Sequence, residues 1–348
     1  MKKIFSVLLA LSLVLALASG AFAMEDTDTV AVGAVVIAAD GVSEDAIYAF
    51  VSTIFENLDA VSEAHAKGLE LSLENAASIT DVPYHPGAAK YFAEKGIEVA
   101  AVKEGAGDGS VKAKKLTFAT GGEAGTYYAF GSVLAQFVTN NSYTAVTAVV
   151  GNGSKSNVED LAAGDVQLAF CQSDVMSYAY QGKSLFEENV EGFSVVANLY
   201  LEQVQIVTLD PAITSVADLK GKTVSIGALG SGVYFNAIDA LTAYGLTEAD
   251  INPVYQSFGD SAESLKDGKI DAAFIVAGAP TTAITDLAQG KNVSLVGFDA
   301  EHTAALIEMS PYYTAVTIPA GTYYSLPIFR HLTVSLRRLH KMPQHFSL

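Results

Sequence analysis

Two segments about a hundred residues apart repeat one construction, a short apolar strand, a glycine-rich loop and an apolar helix. The first occupies residues 115–133, where the loop 121–126 is followed by a helical pattern from Tyr127. The second occupies residues 222–243, where the loop 227–232 precedes a helix from Val233. We call these loops the first and second elbows. Such loops leave backbone N–H groups unpaired at helix starts, which favours an anion such as a carboxylate. They predict two similar α/β lobes with a ligand between them.

The rest of the chain alternates strands and helices, which indicates a parallel or mixed sheet in each lobe. Ligands of such sheets bind at the carboxyl ends of the strands. A strand over 29–38 is apolar enough to be buried on both faces, and Ser43 caps a following amphipathic helix of about five turns that reaches Leu58. Further strands are predicted at 143–150, 166–171, 194–199, 204–208, 253–255, 272–276 and 293–296.

The N-terminus has the pattern of a secretory signal. Residues 1–23 combine a basic start, an apolar run and the small-x-small sequence Ala21-Phe22-Ala23. We expect cleavage near Ala23 and a periplasmic or other extracytoplasmic location. No Cys stands directly after that site, so a lipid anchor is not indicated, and no later apolar run approaches the length of a membrane span.

Charge separates the body of the chain from its C-terminal end. Residues 24–323 carry 14 basic and 38 acidic side chains, a balance of −24, which disfavours nucleic acid as a partner. Every Arg falls in residues 324–348, a basic tail that has no acidic residue and resembles foreign or disordered sequence. Residues 98–114 are rich in glycine and are predicted to be a flexible linker.

Catalytic groups are scarce. His65, His85 and His302 have no second histidine at metal-ligand spacing, and neither a nucleophile elbow nor a phosphate-binding lysine loop is present. The single thiol, Cys171, lies in an apolar strand and is interpreted as a buried residue. We therefore expect no catalytic residue, metal or cofactor, and a binding protein rather than an enzyme.

The polar residues beside the predicted loops suit recognition of a small carboxylate by neutral donors and helix dipoles. The candidates are Gly122, Gly125, Thr126, Ser154, Asn157, Gln172, Ser173, Asp174, Gly230, Ser231 and Gly232. The serines have an alternative role as helix caps. Asp174 either receives a ligand ammonium group or stabilises the start of its own helix through its charge.

Eight ordered motifs give the chain a resemblance to the TAXI-type solute receptors of TRAP transporters. They are TGGEAGTYY (120–128), GNGSKSNV (151–158), AGDVQLAFCQSDV (163–175), EQVQIV (202–207), SVADLKGKTVSIGALGSGV (215–233), AYGLTEADI (243–251), LKDGKIDAAF (265–274) and TIPAGTY (317–323). The resemblance implies a two-lobed periplasmic-binding-protein fold of type II. It also implies a receptor that delivers glutamate, glutamine, 2-oxoglutarate or a similar solute to membrane permease subunits driven by an ion gradient. It adds Tyr127 to the ligand contacts, and we expect a monomer.

The order of the segments departs from that family. Residues 24–97 resemble the segment that normally ends such receptors, yet here they precede the first elbow. This arrangement indicates a circular permutation, in which residues 98–114 join the family's usual termini. Residues 115–208 are then the first lobe and 209–323 mainly the second. Permutation at exposed loops is tolerated because native termini tend to lie close together.

Two alternatives remain open at this stage. The permuted order and the alien tail are also compatible with a rearranged, non-functional remnant of a receptor. A periplasmic enzyme on the same two lobes is less favoured, because no nucleophile–base pair is visible.

Overall fold

A computed structural model describes residues 25–323, so the predicted signal peptide and basic tail lie outside the described residues. The strands of this part of the chain are β1 (Thr27–Ala39), β2 (Leu116–Ala119), β3 (Val146–Val149), β4 (Leu168–Gln172), β5 (Phe193–Thr208), β6 (Thr223–Ser225), β7 (Asn252–Val254), β8 (Ala272–Ala277), β9 (Ser294–Val296) and β10 (Thr314–Ile318).

The helices are α1 (Glu44–Phe55), α2 (Leu58–Ala64), α3 (Leu73–Ala76), α4 (Pro86–Glu94), α5 (Thr126–Asn141), α6 (Ser154–Ala163), α7 (Ser173–Gln181), α8 (Val233–Ala243), α9 (Phe258–Lys266), α10 (Thr282–Ala288) and α11 (Ala300–Met309). Short 3-10 helices occur at Ala66–Glu70, Val216–Leu219 and Glu248–Asp250. None of the helices within residues 25–323 has the length and hydrophobicity needed to cross a bilayer.

The strands form two mixed α/β lobes that share their two longest strands. Strand order is β3-β2-β4-β1-β5-β8-β6-β7, with β10 paired to β1 and β9 paired to β5. The neighbours β2, β3 and β4 are parallel, and so are β6, β7 and β8, whereas β1 and β5 run antiparallel to their neighbours. The predicted mixed α/β fold is confirmed, and within residues 25–323 the strands of both lobes belong to one continuous ten-stranded sheet.

The cores explain why β1 and β5 are continuous and apolar. Residues Ala34–Ala38 of β1 pack in the core of the first lobe, whereas Val30 and Val32 belong to the core of the second. All residues from 30 to 38 are buried, as the unbroken apolar run predicts. Ser43 caps α1 as predicted, since its Oγ accepts a hydrogen bond from the Ala46 N–H at 3.3 Å.

Two predicted elements have different bounds in the structure. The five-turn helix is divided into α1 and α2 at residues 56–57, where the Asn57 side chain donates to the Thr53 carbonyl at 2.9 Å and the helix ends. The predicted strands 194–199 and 204–208 are one strand, β5. The intervening Glu202 and Gln203 resemble a polar break in the sequence, but Glu202 is buried within the strand and Gln203 pairs with both neighbouring strands.

The segment 98–114 has no regular secondary structure but is held against the first lobe by backbone hydrogen bonds. Tyr84 donates to the Ala101 carbonyl and accepts from Lys103, both at 2.8 Å. Gly107 donates to the Asp40 carbonyl at 2.7 Å, and Val111 donates to that of Gly41 at 2.9 Å. The flexibility predicted from its glycine content is therefore restrained by contacts with the β1–α1 turn.

Candidate functional site

The two elbows face each other across a cavity of about 800 Å³ between the lobes. The first elbow and the loop before α6 form the wall from the first lobe. The second elbow forms part of the opposite wall, together with α9, the end of β8 and the region around α10. A volume of this size is typical of small-molecule sites.

Four helices begin at this cavity. The N-cap residues of α5, α6, α8 and α9 are Gly125, Gly153, Gly232 and Ser257, and all four line it. Each helix is at least nine residues long, so its first turn contributes unpaired N–H groups and a partial positive charge. The walls can thus stabilise a carboxylate without a cationic side chain.

Direct contacts across the cleft hold the lobes together. The Ser156 N–H donates to the Gly230 carbonyl at 2.9 Å, and the Thr126 hydroxyl donates to the Gly278 carbonyl at 2.9 Å. Gly153 has φ +104°, a conformation that favours glycine, and a Cβ there would lie 3.1 Å from Ser231 Cα. The start of α6 therefore touches the second elbow, the first elbow touches the residue after β8, and the cavity lies between closed lobes.

Eight of the twelve residues predicted to bind ligand line this cavity. They are Gly122, Gly125, Thr126, Tyr127, Ser154, Gln172, Ser231 and Gly232. Gln172 Oε1 and Ser231 Oγ are buried and have no hydrogen-bond partner within residues 25–323. An added Cβ on Gly232 would lie 1.6 Å from Gln172 Oε1 and 2.8 Å from Ser154 Oγ, so these polar groups converge on the second elbow.

The other four predicted residues lie behind the cavity wall. Asn157 donates to the carbonyls of Thr120 and Phe170 at 2.7 and 2.8 Å and so ties α6 to β2 and β4. Ser173 Oγ accepts from the Gly33 N–H at 2.9 Å. The Gly230 carbonyl accepts from the Ser156 N–H, as described above. Asn157, Ser173 and Gly230 therefore form the frame of the site, by which we mean residues that support the cavity wall without lining it.

Asp174, the fourth of these residues, joins the lobes. Its Oδ2 accepts from Asn236 Nδ2 at 3.0 Å, and Asn236 belongs to α8 of the second lobe. The same Nδ2 donates to the Tyr313 hydroxyl at 2.9 Å, which in turn donates to Asp239 at 2.7 Å. Asp174 is fully buried, and burial raises its pKa to about 7.

Glu202 is a cavity residue that the sequence interpretation missed. It lies in the middle of β5, lines the cavity and is only 2% exposed. Its Oε2 accepts a hydrogen bond from the Tyr127 hydroxyl, and the Tyr127 ring stacks on Phe170 with a centroid distance of 4.6 Å. Burial raises the pKa of Glu202 well above its ordinary value. The sequence signal that could have identified Glu202 was a carboxylate inside an otherwise apolar strand.

The histidines and the thiol have packing roles. His85 is buried, accepts from the Gly87 N–H at 3.2 Å and caps α4, and burial lowers its pKa to about 4. His65 is also lowered in pKa by burial and contacts the Phe130 ring. Cys171 is buried as predicted, and burial raises its pKa. No cluster of metal-ligating side chains occurs among residues 25–323.

A family profile matches residues 18–96 and 118–327, which together are most of the chain. The chain belongs to the NMT1-like family. The matching segments leave out residues 97–117, which include the whole predicted linker. Members of the family are periplasmic or other extracytoplasmic binding proteins.

Solved structures of binding proteins are similar in fold to this NMT1-like chain. The alkanesulfonate-binding protein SsuA of Xanthomonas axonopodis pv. citri, bound to MOPS, is 19% identical over 54% of this chain, with a TM-score of 0.38. The chain covers 62% of that protein's length. An ABC uptake transporter substrate-binding protein of Streptococcus pneumoniae with bound histidine is 15% identical over 66% of this chain and 87% of its own, with a TM-score of 0.35. An ancestral arginine-binding protein bound to arginine has 16% identity, coverages of 57% and 93%, and a TM-score of 0.37.

Proposed function

We propose that this NMT1-like protein is an extracytoplasmic solute receptor that captures a small carboxylate or amino acid and delivers it to a membrane permease. The observation that carries the proposal is the cavity between the two elbows, where four helix N-termini meet. These termini supply donors for a carboxylate, and residues 25–323 contain no Arg that would do so instead. Glutamate, glutamine and 2-oxoglutarate are the candidate ligands.

The transporter is proposed to be of the TRAP type, with a TAXI-type receptor. The ordered motifs from TGGEAGTYY to TIPAGTY support this assignment. Uptake by cells that contain the receptor and its permease should then collapse when the ion gradient is dissipated with an ionophore while cellular ATP is maintained. Uptake that persists without the gradient and follows ATP would instead indicate an ABC transporter.

The segment order is proposed to be a circular permutation. The pairing of β1 with β10 supports it, because Thr27 lies opposite Ile318 and the Ala320 N–H donates to Asp26 at 2.7 Å. A short loop from residue 323 back to residue 24 would thus rebuild a hairpin. A variant with that loop, opened within residues 98–114, should melt cooperatively and bind the same solute. Its failure to fold, with the natural order folding normally, would contradict the permutation.

Thermal unfolding with a panel of amino acids and dicarboxylates tests the function. The sample is the protein purified after secretion from an expression host. At a hundred times Kd, a ligand that binds only the folded state adds about 2.7 kcal/mol, which is a shift of several degrees. The bound compound should be recovered unchanged, since we propose a receptor and not an enzyme. A cooperative melt that no compound shifts would contradict this ligand class, and the absence of a melt would favour a remnant.

A further inference from the structure

Glu202 has one carboxylate oxygen bonded and the other without a protein partner. Tyr127 donates to Oε2. Among the described residues no side chain or backbone group bonds Oε1, although the residue is 98% buried and lines the cavity. A buried charge of this kind is costly unless a cation or several donors stabilise it.

Within residues 25–323 no cationic side chain forms an ion pair with Glu202. The nearby Lys67 affects Glu202 electrostatically, but its ammonium forms an ion pair with Glu70 at 2.5 Å. The other charged residues of the cavity wall also favour a cation, since acidic side chains outnumber basic ones. The acids are Glu123, Glu202, Asp260, Glu263 and Asp286, and the bases are Lys266 and Lys291.

We propose that Glu202 binds the ammonium group of the ligand, so that the receptor selects an α-amino acid over the 2-oxo acid of the same skeleton. This inference rests on the proposed function and narrows its ligand class. The helix N-termini would hold the ligand carboxylate, and Glu202 at the centre of β5 would hold the opposite charge. An oxo or methylene group in place of the ammonium would leave Oε1 buried and unpaired, which lowers affinity.

Ammonium binding also has a consequence for protons. Burial raises the pKa of Glu202 well above its ordinary value, so it favours the protonated carboxyl when no ligand is bound. The ligand ammonium stabilises the carboxylate and lowers that pKa. Amino acid binding should therefore release a proton from the Glu202 carboxyl to solvent, and affinity should rise with pH.

The test is isothermal titration calorimetry on the secreted protein with matched pairs of compounds. L-glutamate is compared with 2-oxoglutarate and glutarate, L-glutamine with 2-oxoglutaramate, and L-leucine with 4-methyl-2-oxopentanoate. We expect at least one amino acid to bind about tenfold or more tightly than its partners, as the loss of a charge-assisted hydrogen bond predicts. Its binding heat should vary with the ionisation enthalpy of the buffer, which measures the released proton.

Two variants assign that preference to Glu202. Glu202→Gln keeps an acceptor for Tyr127 but removes the charge, so it should reduce the preference for the amine about tenfold and abolish the proton release. Because it removes an uncompensated buried charge, it should not lower the melting temperature. Glu308→Gln removes an exposed acid that does not line the cavity and should retain both effects.

The outcomes separate this inference from the proposed function. A 2-oxo acid that binds as tightly as its amino acid overturns the role of Glu202 and leaves solute binding intact. The same holds if Glu202→Gln retains the wild-type preference, or if Glu202→Gln and Glu308→Gln lose it equally. Absence of binding by every compound overturns the proposed function and this inference together.

Discussion

Asp174 and Glu202 are both fully buried carboxylates near the boundary between the lobes, but their surroundings differ. Asp174 begins α7 and bonds Asn236 of the second lobe, behind the cavity wall. Glu202 lies in β5, bonds Tyr127 and lines the cavity. Within residues 25–323 each carboxylate has one bonded oxygen and one without a hydrogen-bond partner, but Asp174 Oδ1 is buried behind the cavity wall, whereas Glu202 lines the cavity. Burial alone does not indicate recognition, and access to the cavity separates the two roles.

The largest effect is expected from filling the space between Gly232 and Gln172 at the cavity wall. Gly232→Ala would place a methyl group 1.6 Å from Gln172 Oε1, although its φ of −72° is compatible with alanine. We expect ligand affinity to fall by about a hundredfold or more, because the elbows can no longer close over the ligand. Calorimetric titration measures this loss.

Gly290→Ala is the matched control, since Gly290 also lies at the cavity wall but a Cβ there meets no atom within 4 Å. Equal affinities of the two variants would show that the space beside Gln172 is not needed for binding.

Removing the hydrogen bond that Tyr127 donates to Glu202 should have the next largest effect. Tyr127→Phe leaves the ring free to stack on Phe170 but leaves Glu202 without its hydrogen bond. We expect about 1–3 kcal/mol lower stability and about tenfold weaker amino acid binding. Chemical denaturation and calorimetry measure the two quantities. Combining Tyr127→Phe with Glu202→Gln should restore much of the stability, and a stability loss unchanged by Glu202→Gln would contradict the coupling of the two side chains.

The pH dependence of the free energy of unfolding should report the burial of Asp174. Both Asp174 and Glu202 have a folded-state pKa raised above the unfolded value, so each stabilises the protein below pH ~4, and this contribution is lost as pH rises through the folded pKa. For Asp174 that loss spans pH ~4 to about 7. Urea denaturation of Asp174→Asn should show a shallower decline over this window, by up to about 4 kcal/mol in total. A decline identical to that of the unmodified protein would contradict the buried, uncharged state of Asp174.

The smallest effect concerns a residue predicted to bind ligand that instead supports the frame. Ser173→Ala removes the acceptor of the buried Gly33 N–H and should lower stability by about 1 kcal/mol. Ligand affinity should stay within about twofold, because Ser173 does not line the cavity. A selective loss of affinity with unchanged stability would place Ser173 back in the binding site.

These residues also show what the sequence could reveal. The elbows were predictable because a glycine-rich loop between a strand and a helix is a local sequence pattern. Gly125 and Gly232 of the elbows do line the cavity, and so does Ser154 at the start of α6. Asp174 and Glu202 were harder, since the direction in which a buried polar side chain points depends on distant partners. Asn236 is 62 residues from Asp174, and Tyr127 is 75 residues from Glu202.

Contacts between residues that are distant in sequence also explain two features that the local sequence pattern did not reveal. Glu202 and Gln203 interrupt an apolar pattern, so the sequence predicted two strands in place of β5, yet Glu202 accepts from Tyr127 in the first lobe and Gln203 accepts from the Ala279 N–H in the second. Residues 98–114 appeared flexible because their composition carries no information about the β1–α1 turn that they contact. In both cases tertiary contacts override the local pattern.

The position of β1 has a consequence for how the protein folds. It is the first strand of the described chain, but its contacts lie far along the sequence, 140 residues from Gly33 to Ser173, 175 from Thr29 to Val204 and 289 from Asp28 to Thr317. Such a high contact order slows folding, because large loops must close before β1 gains its neighbours. A strand that pairs with β4, β5 and β10 stays unpaired until those later segments have been synthesised.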